Sequence, residues 1–211
     1  MIPAKEEWMA ARAERHGAKL QSKFSSATVA ICGLGGLGSN IAIALARAGI
    51  GKLILIDFDR VDLSNLHRQQ YKATQIGSYK TEALAENLRE IAPYTELETI
   101  TERLTEENVR LLLTGADIVC EAFDDAQAKA MLVHAVLELL PNAYLVAASG
   151  MAGLGTPNNI RTRKITKRFY LSGDEESDVA DAIGLAAPRV MLCAAHQAHT
   201  VLRILAGEYE V

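Results

Sequence analysis

Five short, largely apolar runs punctuate the first 150 positions: Val29–Cys32, Lys52–Asp57, Leu97–Thr101, Asp117–Cys120 and Tyr144–Ala148. Most are rich in Val, Ile and Leu without polar alternation, the pattern of strands buried on both faces. Between them lie stretches at helical spacing. A small-residue helix covers Ile41–Gly49, a second runs from a Ser78 cap to Ile91 before Pro93, and a third spans Thr105–Leu113. A fourth follows Asp124 through Leu140 to Pro141. Strands alternating with helices predict a parallel sheet covered on both sides, with ligands at the carboxyl ends of the strands.

The ends of the chain break this rhythm. Ala4–Phe24 mixes charged and small residues at helical spacing and predicts an N-terminal helical arm. After Ser149 come glycine-rich segments, an alternating patch over Asn159–Leu171 that predicts an antiparallel hairpin, and an acidic, flexible-looking stretch from Gly173 to Asp181. An apolar helix over Arg189–Ala206 with Gly207 as its C-cap closes the chain. The expected organisation is one domain over 1–211: arm 1–26, nucleotide-binding core 27–150, hairpin and crossover 151–187, closing helix 188–211. The expected fold class is α/β and Rossmann-like, a mainly parallel twisted sheet with helices on both faces.

Composition narrows the function. With 49% hydrophobic and 23% charged residues in 211, the chain suits a globular core, and its net charge of −4 argues against a general nucleic-acid binder. Cys32, Cys120 and Cys193 stand singly in apolar surroundings and read as reduced core residues. No apolar stretch has signal-peptide or membrane-spanning character, so a cytoplasmic location without membrane association is expected.

The first strand runs into Gly33-Leu34-Gly35-Gly36-Leu37-Gly38, a G-x-G-x-x-G turn opening a helix. Such a turn predicts a nucleotide phosphate site: Gly33 for the tight turn, Gly35 for close backbone approach, Gly38 for helix packing. Asp57 ends the second strand nineteen residues after Gly38, where a carboxylate can accept from a ribose. The polar stretch from Asp59 to Thr74 is too long for a simple turn and is expected to carry function. A nicotinamide-dependent oxidoreductase is compatible with the turn and Asp57, but leaves Arg68, Lys80 and Asp124 without a purpose.

Several blocks in order give the chain a specific resemblance. They are G-L-G-G-L-G at 33 to 38, D-F-D at 57 to 59, S-N-L-x-R-Q at 64 to 69, I-G-x-x-K at 76 to 80, and Asp124 after the fourth strand. In these the sequence resembles the ThiF/MoeB family, bacterial relatives of ubiquitin-activating enzymes, over about residues 12 to 150. Its size and Ala148–Gly153 look most like the short ThiF subfamily of thiamine biosynthesis. The resemblance implies an ATP-dependent adenylyltransferase that forms an acyl-adenylate on the C-terminal glycine carboxylate of a ThiS-like ubiquitin-fold sulfur carrier.

The resemblance also implies roles. Arg68 and Lys80 would grip phosphates; Ser64 and Asn65 would hydrogen-bond phosphate or ribose; Gly33, Gly35, Gly36, Gly38, Asp57 and Asp59 would frame the nucleotide; Asp124 would hold Mg²⁺. Asp125 stands where the family has Asn. Arg12-Ala13-Glu14-Arg15-His16 resembles an arm segment whose second Arg reaches the partner subunit's ATP, implying a homodimer with Arg15, or alternatively Arg12, acting in trans. No C-x-x-C pairs occur, so structural zinc is not expected. Residues 149 to 187 lack a cysteine, which implies a separate sulfur donor. Adenylation of a tRNA base or a peptide terminus is the alternative within the same chemistry, and a non-catalytic carrier-binding scaffold is a further one.

Among the remaining groups, His196 and His199 share a helix face and read as packing or interface residues. Arg161, Arg163, Lys164, Lys167 and Arg168 read as a solvated face, with docking of an acidic carrier as the functional alternative.

Overall fold

The computed structural model describes residues 2–180 and 184–211; Asp181, at the end of the acidic stretch, lies outside the described residues. The arm is two helices, α1 (Lys5–His16) and α2 (Ala18–Ser26), rather than one. Gly17, at φ +83°, ends the first and caps the second. No residue of α1 is buried, and it is tied down by Trp8 edge-to-face on Tyr94 and by Arg12 donating to Ala46 O at 2.9 Å.

The body alternates as expected: β1 (Thr28–Cys32), α3 (Gly36–Ala48), β2 (Lys52–Ile56), α4 (Lys80–Ile91), β3 (Glu96–Ile100), α5 (Val109–Leu113), β4 (Ile118–Glu121), α6 (Ala126–Leu139) and β5 (Tyr144–Ala148). Then β6 (Arg161–Lys164), β7 (Phe169–Gly173) and α7 (Ala187–Ala206) complete the chain. The seven strands lie in the order β3-β2-β1-β4-β5-β7-β6. All pairings are parallel except β6 with β7, which form the expected antiparallel hairpin, with β7 added parallel to β5.

The strand order reverses between β1 and β4, where open α/β sheets place their ligands. Strand side chains divide by parity. Val29, Ile31, Leu53 and Leu55 join the layer containing α3, α4 and α7, while Ala30, Cys32, Ile54 and Ile56 join the layer with α5 and α6. Both layers are built of buried apolar side chains, so truncating a fully buried residue such as Leu45 to Ala costs about 3 kcal/mol.

Three local expectations need correction. Edge strand β3 is mostly exposed rather than apolar on both faces; Lys52 of β2 pairs with Glu96 and Glu98 there. Helix α5 starts only at Val109, because the Asn108 side chain accepts from the Thr105 N–H at 2.8 Å and holds residues 105–108 as a turn. Ser78 does not cap α4: Tyr79 is its N-cap, and the Ser78 carbonyl instead accepts from Val61 N–H.

Candidate functional site

A cleft of about 860 Å³ opens at the carboxyl ends of β1, β2, β4 and β5. The glycine turn forms one lip. Gly33 adopts φ +91°, and a Cβ on Gly38 would stand 1.8 Å from Gly33 O, so no other residue fits there without rebuilding the turn. Gly35 and Gly36 face the cleft, with Gly36 packed against the Arg68 stem. The amide of buried Gln69 also lines it, and its Oε1 has no hydrogen-bond partner among the described residues.

Asp57 does more than end β2. Its buried carboxylate accepts the Leu34 N–H at 2.7 Å and the Asp59 N–H at 2.8 Å, fastening the glycine turn to the next loop. A carboxylate offers about four acceptor positions, so ribose contact stays open to it. Lys80, at the first turn of α4 and only 7% exposed, donates to Asp59 at 2.8 Å and stands 3.8 Å from Asp57. One ammonium therefore serves two carboxylates before any phosphate arrives.

Arg68 projects from the loop after a 3-10 turn over Leu63–Asn65 and lines the cleft. Its nearest acceptors, Ser64 O at 3.5 Å and His67 Nε2 at 3.4 Å, are long, so the fork has no short hydrogen bond among the described residues. Asn65 also lines the cleft. Ser64 does not: its N–H and hydroxyl both go to Asp62, at 2.8 and 2.5 Å, and build the turn.

Asp124 and Asp125 follow β4 and divide the labour between them. The Asp125 side chain accepts from Ala128 N–H at 2.7 Å and caps α6, so Asp124 is not the cap and presents an exposed carboxylate to the cleft. Mg²⁺ binds through one or two carboxylates together with substrate phosphates, and Asp124 offers one such hard ligand. No group of three or more His, Cys, Asp or Glu able to hold a metal occurs among the described residues.

An ion pair that the sequence motifs did not mark joins a buried acid to a half-buried lysine lining the cleft. Glu121, 1% exposed, binds Lys129 Nζ through both oxygens at 3.0 Å, and Lys129 also donates to Ala148 O. Burial pushes the Glu121 carboxyl up, against the opposing pull of Lys129 and of the Phe123 and Ala148 N–H groups. An acidic residue ending a strand with a basic one eight positions later was the available signal.

Arg15 lies away from this cleft, at a separate cavity of about 400 Å³ shared with Arg12, Trp8 and Arg47. The basic hairpin is largely engaged: Arg163 pairs with Glu175, Lys164 with Glu210, and Arg168 donates to the carbonyls of Leu137, Leu140 and Ala143 at the end of α6. His196 leans on Thr162, and burial pushes its imidazole down. All three cysteines are buried, and burial pushes the Cys120 and Cys193 thiols up to about 12.

A parallel sheet with a phosphate turn and cationic groups at its topological switch point defines a Rossmann-like nucleotide-binding protein. The chain belongs to the ThiF family, whose model matches residues 9–211. It is 30% identical over 195 residues to the adenylyltransferase and sulfurtransferase UBA4 of Lodderomyces elongisporus, covering 90% of this chain and 42% of that one. It is 33% identical over 158 residues to the tRNA threonylcarbamoyladenosine dehydratase of Escherichia coli K12, covering 74% and 58%. With the molybdopterin-synthase adenylyltransferase of Haemophilus influenzae it shares 33% over 175 residues, covering 78% and 72%. The chain thus spans about half the length of the first two relatives. Among solved structures, the E. coli tRNA N6-threonylcarbamoyladenosine dehydratase in complex with ATP superposes with a TM-score of 0.86, covering 99% of this chain and 98% of that one. At 24% identity that likeness speaks for the fold.

Proposed function

We propose that the chain is an ATP-dependent adenylyltransferase that activates the C-terminal glycine carboxylate of a ubiquitin-like carrier of the ThiS type. The observation that carries this reading is the grouping in one cleft of the glycine turn, the uncommitted Arg68 fork, Lys80 and the exposed Asp124. Bringing a carboxylate to a triphosphate sets two anions against each other, and cations with preorganised N–H groups are what that encounter requires. The carboxylate oxygen bonds to the α-phosphorus, the bond from that phosphorus to the bridging oxygen breaks, and pyrophosphate leaves with the electron pair. Arg68 and Lys80 take up the phosphate charge, and Mg²⁺ held through Asp124 would neutralise developing charge on the leaving group.

The chain would stop at adenylation. Its thiols are buried and held protonated, so sulfur would come from a separate donor attacking the acyl-adenylate. Arg12 is engaged with Ala46 O, which leaves Arg15 as the arm residue to reach a partner subunit's phosphates in a homodimer.

A second reading, adenylation of a modified tRNA base, is favoured by the relative and the solved structure named as tRNA dehydratases. The net charge of −4 and the engagement of the hairpin cations weigh for the protein carrier. ATP–pyrophosphate exchange decides between them. Exchange that depends on a carrier ending in Gly-Gly and disappears when the tail is removed is expected; exchange driven by tRNA alone would replace the first reading with the second.

A further inference from the structure

The walls of the cleft on the β5 and β7 side converge on one residue that has no part in the nucleotide site. Arg189, in the first turn of α7, is 7% exposed. Its Nε donates to Ala152 O at 3.2 Å, one terminal nitrogen to Gly155 O at 2.7 Å and Thr156 O at 3.0 Å, and the other to the Asp174 carboxylate. Asp174, with a side chain 5% exposed, also accepts the N–H groups of Glu176 and Ser177 at 3.0 and 2.9 Å and the Ser177 hydroxyl at 2.8 Å. The Ser177 oxygen in turn accepts Ala152 N–H at 2.9 Å.

Gly150 gives independent support for this closure. It sits at φ +76°, and a Cβ there would lie 2.0 Å from Asp174 Oδ1, so the carboxylate occupies the space a side chain would need. A buried ion pair by itself is weak evidence of stabilisation, since apolar replacements are often as stable. An apolar pair could not, however, bind three carbonyls and two N–H groups from two separate loops. Here the planar five-donor guanidinium takes the carbonyls and the Asp174 carboxylate takes the N–H groups.

We infer that Arg189, Asp174 and Ser177 form a positioning strut that fixes Ser149–Ala152 against Ser177–Val179 and so sets where the acceptor carboxylate lies relative to the α-phosphate. Both segments line the cleft, and both approach it from beyond β4, away from Asp57 and Lys80. The groups named for the nucleotide are held by β1, β2 and β4 and need no contribution from the strut. Arg189 and Asp174 stand behind the cleft lining and act through the walls they hold, with Ser177 joining them to the wall.

The inference rests on the adenylation reading, and the test separates the two. Ser177→Ala removes the Ala152 and Asp174 links without stranding a charge, and Ser177→Thr keeps the hydroxyl. In pyrophosphate exchange with a Gly-Gly-ending carrier, Ser177→Ala should raise the KM for carrier about tenfold, leave the KM for ATP within about twofold, and be rescued by Ser177→Thr. Equal movement of both KM values, or of neither, would overturn the strut. If the wild-type chain shows no carrier-dependent exchange, the carrier reading fails and amide hydrogen exchange tests the strut by itself. Faster exchange at the Ala152, Glu176 and Ser177 amides in Ser177→Ala supports it, and unchanged protection there rejects it.

Discussion

On the β1–β2 side of the cleft, the residues proposed to meet phosphate hang from main chain that the parallel sheet already fixes. On the β5–β7 side, loops of irregular backbone are tied together by one guanidinium. Leu34 and Asp59 offer their N–H groups to Asp57 within two or three residues of strand ends. Arg189 instead gathers Ala152, Gly155, Thr156 and Asp174 from positions up to 37 residues away. A site built from strand ends, as proposed for the phosphates, tolerates little change but comes with the fold. A wall set by side-chain ties can be retuned without disturbing the sheet, a suitable division if the nucleotide is constant and the acceptor varies.

The sharpest way to break this contrast is Gly38→Ala. A Cβ placed 1.8 Å from Gly33 O must displace main chain, and a loss of about 3 kcal/mol or more in chemical unfolding is expected, with nucleotide binding lost in the same variant. Next in size, Arg68→Ala should lower exchange by about a hundredfold or more with the melting temperature little changed. Mixing Arg68→Ala with Arg15→Ala subunits should restore part of the activity through dimers holding one intact site. No recovery on mixing would reject Arg15 as a trans residue.

The adjacent pair after β4 tests whether site and scaffold separate at a single peptide bond. Asp125→Ala should cost about 1 kcal/mol through loss of the α6 cap while exchange persists. Asp124→Ala should do the reverse, with exchange falling and stability held. The smallest effect belongs to acid. Burial pushes the Asp174 carboxyl up, but the Ser177 and Glu176 N–H groups, the Ser177 hydroxyl and Arg189 outweigh it and bring it down to about 2. A depressed folded value means the strut's contribution is whole above the ordinary carboxylate range, about pH 4, and is lost as pH falls through about 2. Protection of the Ser177 amide against hydrogen exchange should fall over that window, and Asp174→Asn should remove the step.

Much of the nucleotide side was legible in the sequence because its signals are local. Continuous apolar runs gave β1, β2, β4 and β5, and glycine spacing gave the turn, since each depends on residues within a few positions. Edge strand β3 escaped its assigned pattern because only one neighbour covers it. Helix α5 was shortened by one asparagine competing with the helix for main-chain hydrogen bonds. The strut was illegible for a different reason. Asp174 stood in a run that looked flexible by its charge, and nothing local marks it as the partner of a buried Arg fifteen residues on. The same distance effect hid the ties of Arg163 and Lys164, whose partners are Glu175 and Glu210.

The buried cysteines give the protein a built-in gauge of its own opening. Cys32 and Cys120 sit in adjacent central strands, and Cys193 sits on α7, one turn beyond Arg189. A thiol reagent in the surrounding solution can react with each only when the element carrying it comes away. The order in which the three are labelled, read by mass, would therefore record whether α7 peels from the sheet before the sheet itself parts, without a single introduced probe.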